Sequence, residues 1–130
     1  MTMLKLFPAM ITALILVACQ SVDGNDVTGI YYLVEVDGSA VPAEVSHDGT
    51  ALQVRSGVFI ISEDGSCFSR TRFVTPDGNE MTREVRAKYR VKDSRLIMRW
   101  EGAGTTEGTV EGDTFVMDNH GMIFEYDRRE

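Results

Sequence analysis

Asp-Gly recurs at Asp37, Asp48, Asp64 and Asp77 and cuts the chain into short stretches in which apolar and polar residues alternate. Aspartate followed by glycine suits the positive φ angles of tight hairpin turns. Alternation with a period of two is the pattern of a strand with one buried face. Ile30, Tyr32, Val34 and Val36 alternate with Tyr31, Leu33 and Glu35, which predicts a first strand carrying the former set inward. Residues 39 to 48, with Pro42 and His47, read as a connection containing one helical turn. Leu52 and Val54 lead through Gly57 into residues 58 to 61, and a glycine inside such a run predicts a bulge or bend. Residues 67 to 74 form the next strand. Met81, Val85 and Tyr89 in the following stretch fit a helical face, but Ala87 and Val91 join them only under alternation, and turn signals on both sides favour a strand. Leu96, Met98 and Trp100 then alternate with Arg95, Ile97 and Arg99, and three shorter strands end the chain. About eight short strands with frequent hairpin turns predict an all-β fold, either an up-and-down antiparallel barrel or a sandwich. Hairpins between neighbours favour the barrel, which leaves no open sheet edge.

Ahead of these strands lies an apolar run from Leu6 to Val17, preceded by Lys5 and closed by Leu16-Val17-Ala18-Cys19. A basic start, a short apolar core and small residues before a cut mark a secretory signal peptide. The run is shorter than the roughly 20 apolar residues that a membrane-spanning helix needs. The last four residues resemble the lipobox of bacterial lipoproteins. That resemblance implies cleavage before Cys19, a diacylglycerol on its thiol, and a freed amino group open to acylation by palmitate or a similar chain. Several acyl chains together anchor a protein stably. The chain then divides into a signal peptide (1–18), a lipidated flexible tether (19–27) and a barrel domain (28–130). In lipoproteins of enteric bacteria an aspartate after the cysteine favours the inner membrane. Gln20 stands there, so the resemblance points to the outer membrane, facing the periplasm.

The domain has a resemblance of its own. Gly29-Ile30-Tyr31-Tyr32-Leu33, Val36-Asp37-Gly38, Ser56-Gly57-Val58-Phe59, Asp64-Gly65-Ser66, Tyr89-Arg90-Val91, Leu96 to Trp100 and Gly108 to Phe115 together resemble the small lipocalin-like barrels of bacterial lipoproteins. The similarity covers residues 28 to 128 and implies an eight-stranded barrel. It carries over no ligand. Gly29-Ile30-Tyr31 stands where true lipocalins have glycine-x-tryptophan.

The formal charge is −7, and −8 without the signal peptide and its Lys5. An acidic domain is a poor partner for nucleic acid. Against that background residues 81 to 99 hold seven basic and two acidic side chains. Arg86, Lys88, Arg90 and Lys92 share one face of a strand, and Arg95 and Arg99 follow on the next. This is either a solvated face balanced by acidic neighbours or a basic ribbon facing anionic lipid or an acidic protein. After Cys19 only Cys67 remains, which excludes an internal disulfide in the domain and reads as a buried thiol. His47 and His120 both fall in loops, and no spacing suits the three or four ligands of a metal site. No cofactor and no catalytic activity are expected.

A barrel of eight strands either fills with side chains or holds one small ligand. Alternation places Tyr32, Val34, Ile60, Val85, Tyr89, Met98, Trp100, Phe115, Phe124 and Tyr126 inside. Arg83 shares parity with Val85, so it points inward near an open end, to hold a carboxylate or phosphate or to pair with Glu35 or Glu107. The candidate ligand residues are Arg83, Tyr89, Met98 and Trp100, and the lipidation site is Cys19. The expectation is a non-enzymatic, membrane-anchored module binding a small apolar or amphipathic molecule. The alternative is a structural lipoprotein whose filled barrel presents its outer face to another envelope protein or an anionic lipid surface.

Overall fold

The computed structural model describes residues 26–129, and the Leu16–Cys19 motif, the signal peptide and most of the tether lie outside them. No helix occurs among the described residues. The strands are β1 (Gly29–Val36), β2 (Ser39–Ala40), β3 (Ala43–His47), β4 (Thr50–Ile61), β5 (Ser66–Val74), β6 (Glu80–Lys92), β7 (Arg95–Trp100), β8 (Gly104–Glu111), β9 (Thr114–Asn119) and β10 (Met122–Arg129). From β4 to β10 each strand pairs antiparallel with the next, and β1 pairs with both β10 and β4. The result is a closed up-and-down barrel of eight strands, with β2 and β3 as two further strands between β1 and β4. Asp37-Gly38 and Asp48-Gly49 each adopt two successive positive φ angles, between 50° and 83°, as tight hairpin turns require.

The stretch from residue 39 to 48 is extended, not helical. Ser39 and Ala40 pair with β1, and β3 folds back on β4 through the Asp48-Gly49 turn. Backbone pairing with both neighbours, together with burial of Ala43, outweighs the local turn signals. This excursion has an architectural consequence. β1 and β4 pair only from Gly29–Tyr32 against Val58–Ile61. Beyond that point β1 pairs with β2 and β4 pairs with β3, so the excursion occupies one seam of the barrel.

The inner face of β1 is Tyr31, Leu33 and Val36, and Tyr32 and Val34 are half-buried on the other side. A register shift between Leu33 and Glu35 lets Leu33 and Val36 face inward together. Simple alternation counted back from Val36 therefore selects the wrong pair. The same error recurs on β4. Its register shifts between Val54 and Ser56, after which Phe59 and Ile61 point inward and Ile60 does not. The bulge is at Arg55, two residues before Gly57. Gly57 serves packing instead, because a Cβ there would stand 3.1 Å from the Leu33 side chain. The rest of the expected inner set faces the core. Met98, Trp100, Phe115, Phe124 and Tyr126 are buried, and Val85 and Tyr89 pack against it half-buried.

Candidate functional site

The barrel interior has two unlike halves. At the end where β1 begins, Tyr31, Phe59, Ile61, Cys67, Leu96, Met98 and Phe115 are all essentially inaccessible. Phe59 is the hub, with ring centroids 4.7 Å from Phe115, 5.5 Å from Tyr126 and 5.9 Å from Trp100. Such offset and edge-to-face pairs each add about 0.5–1.5 kcal/mol beyond area burial. Gly108 has no side chain because the Phe115 ring lies on it. Cys67 is 2 % exposed, and burial pushes its thiol up to about 12, so it is inert as a nucleophile.

This end is also sealed. Val27 is buried, and its carbonyl accepts a 2.7 Å hydrogen bond from the Tyr31 hydroxyl. Arg128 donates to the carbonyls of Asp26, Thr28 and Gly112, and through Nε to Asp113. Its guanidinium lies 5.4 Å from the centre of the Tyr31 ring. The packed chain thus reaches back to Asp26 and is latched across the end of the barrel. Tyr89 completes the seal, donating a 2.6 Å hydrogen bond to the Ser62 carbonyl.

The opposite end is hollow. A cavity of about 230 Å³ opens there, walled by Val45, Leu52 and Val54 from the seam and by Phe73, Val85, Met117, Met122 and Phe124. Its floor is Trp100, whose Nε1–H donates a 2.7 Å hydrogen bond to Thr106 Oγ1. Trp100 stands edge-on to Phe59 and Tyr126 packs on the same ring, so these two side chains divide the cavity from the packed half. Ser69, Thr71 and Thr106 are the small polar residues of the wall, and Asn119 and His120 stand where the β9–β10 turn meets it. Tyr126 lies beside Ser69. Burial raises its phenol, and the hydrogen bond with Ser69 works against that shift.

Arg83 is exposed, lines the cavity and has no ion-pair partner among the described residues. The expected pairing with Glu107 does not form, because Glu107 lies 3.6 Å from Arg95 on the outer face. Glu35 is not a partner either, being on β1 and paired in register with Ala40 and Glu125. Among the described residues no Asp or Glu lines the cavity. Among the described residues no group of three or more His, Cys, Asp or Glu is placed to hold a metal ion.

Of the four candidate ligand residues, the structure brings Arg83 and Trp100 to the cavity. Met98 is inaccessible in the packed half, and Tyr89 belongs to the sealed end. Parity alone could not separate them, because it reports the face of a strand and not the height along the barrel. Phe73, Phe124, Ser69 and Thr106 were missed as site residues. Their signal was the register of hairpin turns, which puts the ends of β5, β7 and β9 and the starts of β6, β8 and β10 at one rim. Cys19 lies outside the described residues. No protein-family model, no curated protein and no solved structure matches this chain.

Proposed function

We propose that this chain is a lipid-anchored lipoprotein of the bacterial envelope whose barrel binds one small amphipathic molecule without chemically changing it. The observation that carries the binding role is the hollow half of the barrel, apolar in its walls and bordered by an arginine without an ion-pair partner among the described residues. A cavity of 230 Å³ exceeds the ~150 Å³ that accommodates benzene and falls below the ~300 Å³ at which drug-sized pockets begin. The ligand is accordingly a single ring or a short acyl chain, not a whole phospholipid. Its apolar part rests on Trp100 and Phe124, and a carboxylate or phosphate head pairs with Arg83 at the rim.

The anchoring half of the proposal rests on Leu16-Val17-Ala18-Cys19 after the short apolar run. Residues 1–18 are removed, Cys19 carries diacylglycerol, and the domain faces the periplasm from the outer membrane. Two experiments test the two halves separately. Native mass spectrometry of the protein purified from its own host reads retained ligand, and a mass gain below about the size of a small fatty acid derivative is expected. A barrel that is empty under every gentle purification, and takes up no added short-chain amphiphile, contradicts the binding role. Cys19→Ser abolishes palmitate labelling and signal cleavage if the anchor is right, and unchanged processing contradicts it.

A further inference from the structure

The outer surface of β6 and β7 is unlike the rest of this acidic protein. Alternation leaves Arg86, Lys88, Arg90 and Lys92 exposed on β6, with Arg95 and Arg99 exposed on β7. The strand register sets like charges directly across from each other, Lys88 opposite Arg99 and Lys92 opposite Arg95. Like charges directly opposite destabilise a sheet, so the fold gains nothing from this arrangement. Carboxylates neutralise its margins instead of its centre. Arg70 pairs with Glu84, Arg72 with Glu80 and Arg95 with Glu107. Arg86 lies over the Phe68 ring, 5.0 Å from its centre, and Lys88 feels Asp64 in the neighbouring turn. Arg90, Lys92 and Arg99 have no ion-pair partner among the described residues.

The position of the patch adds a second constraint. β5 begins opposite Lys88 and Tyr89 N–H donates to Gly65 in the β4–β5 turn, so only residues 90–92 of β6 pair with β7 alone and project beyond that turn. That projection is at the sealed end, where Arg128 holds Asp26 and Thr28. The chain toward Cys19 therefore leaves the barrel at the end from which the basic hairpin projects. Residues 19–25, fully extended, reach at most about 24 Å.

We propose that the outer face of the β6–β7 hairpin docks on anionic lipid head groups of the membrane that carries the anchor, which sets the sealed end toward the bilayer and the cavity mouth away from it. The orientation rests on the anchor at Cys19, and the affinity of the patch for anionic lipid does not. Basic residues near such a surface each raise partition about fivefold at moderate ionic strength, and salt screens the effect.

Lys88 and Lys92 are the only lysines beyond Lys5, so the wild-type chain carries its own reporters. The full chain is mixed with vesicles of phosphatidylcholine, or of the same lipid with about a third replaced by phosphatidylglycerol. A water-soluble acetylating reagent is then applied, and modification of each lysine is read by peptide mass spectrometry. Docking slows acetylation of both lysines at least about fivefold on the anionic vesicles. High salt restores the rate, and so does the double variant R90E/R99E, which keeps both reporters and shows that lower pH at the lipid surface is not the cause. Equal rates on the two vesicles, or slowing that survives both salt and the variant, overturn the proposal. Equal rates are also what a face that binds an acidic protein would give. The N-terminal peptide of the same digest weighs Cys19, so an unlipidated cysteine with protected lysines refutes the anchor and leaves the docking face standing.

Discussion

The two halves of this barrel share the same strands, yet one is solid and the other hollow. The solid half stacks Tyr31, Phe59, Leu96, Met98 and Phe115 with no accessible surface, and the glycine at 108 makes room for a ring. The hollow half puts Ser69, Thr71, Val54 and Thr106 at the corresponding inward positions and lets β2 and β3 replace the direct β1–β4 pairing. An eight-stranded barrel is just wide enough to be filled by side chains. Whether it has room for a ligand is therefore decided by the size of the inward residues at each height, and here that room begins at Trp100.

The largest expected effect breaks the solid half. Phe59→Ala removes the hub of the aromatic cluster and is expected to cost about 3–5 kcal/mol, read from urea denaturation. Phe73→Ala in the hollow half costs clearly less, because that ring is half-buried and already borders empty space. Equal losses at the two positions mean that the halves are packed alike.

The latch comes next. Arg128 makes charge-assisted hydrogen bonds to three carbonyls and to Asp113, with its side chain 21 % exposed. Arg128→Ala is expected to lose about 1.5–3 kcal/mol, the usual range for a hydrogen bond to a charged group. Hydrogen exchange should rise first at Val27 and Tyr31, while the strands around the cavity stay protected. Exchange that rises uniformly contradicts a local seal.

Gly108→Ala is the smallest of these. Its new methyl meets the Phe115 ring, and overpacking of this kind costs about 1–3 kcal/mol. Thermal melting checks it, and a neutral result means that Phe115 has room to move.

Most of the fold was legible in the sequence. Asp-Gly turns and alternation were enough for a closed antiparallel barrel, and Trp100, Phe115, Phe124 and Tyr126 fall inside as their parity predicts. Two bulges defeated the rest. At Leu33/Glu35 and at Val54/Ser56 one extra residue flips the parity, so Tyr31 and Phe59 replace Tyr32 and Ile60 in the core. Nothing local in Val34 or Arg55 announces a bulge, because the register shift is defined only against the paired strand. The cavity was only half legible for a related reason. Parity placed Arg83 and Trp100 inward, but their height depends on a register that only the closed barrel defines.

The central claim is that the hollow half is a binding site and the solid half is not. Trp100 is the sole tryptophan and stands at the boundary between them, so its fluorescence reads the claim directly. The full chain is titrated with a short-chain fatty acid, and the same titration is run on Thr71→Leu, whose longer apolar side chain takes up part of the cavity. A saturable change in Trp100 emission is expected for the wild type, weakened about tenfold in Arg83→Ala by loss of a charge-assisted contact, and weakened also in Thr71→Leu. A wild-type signal that ignores every such ligand, or a response that Thr71→Leu leaves intact, contradicts the account.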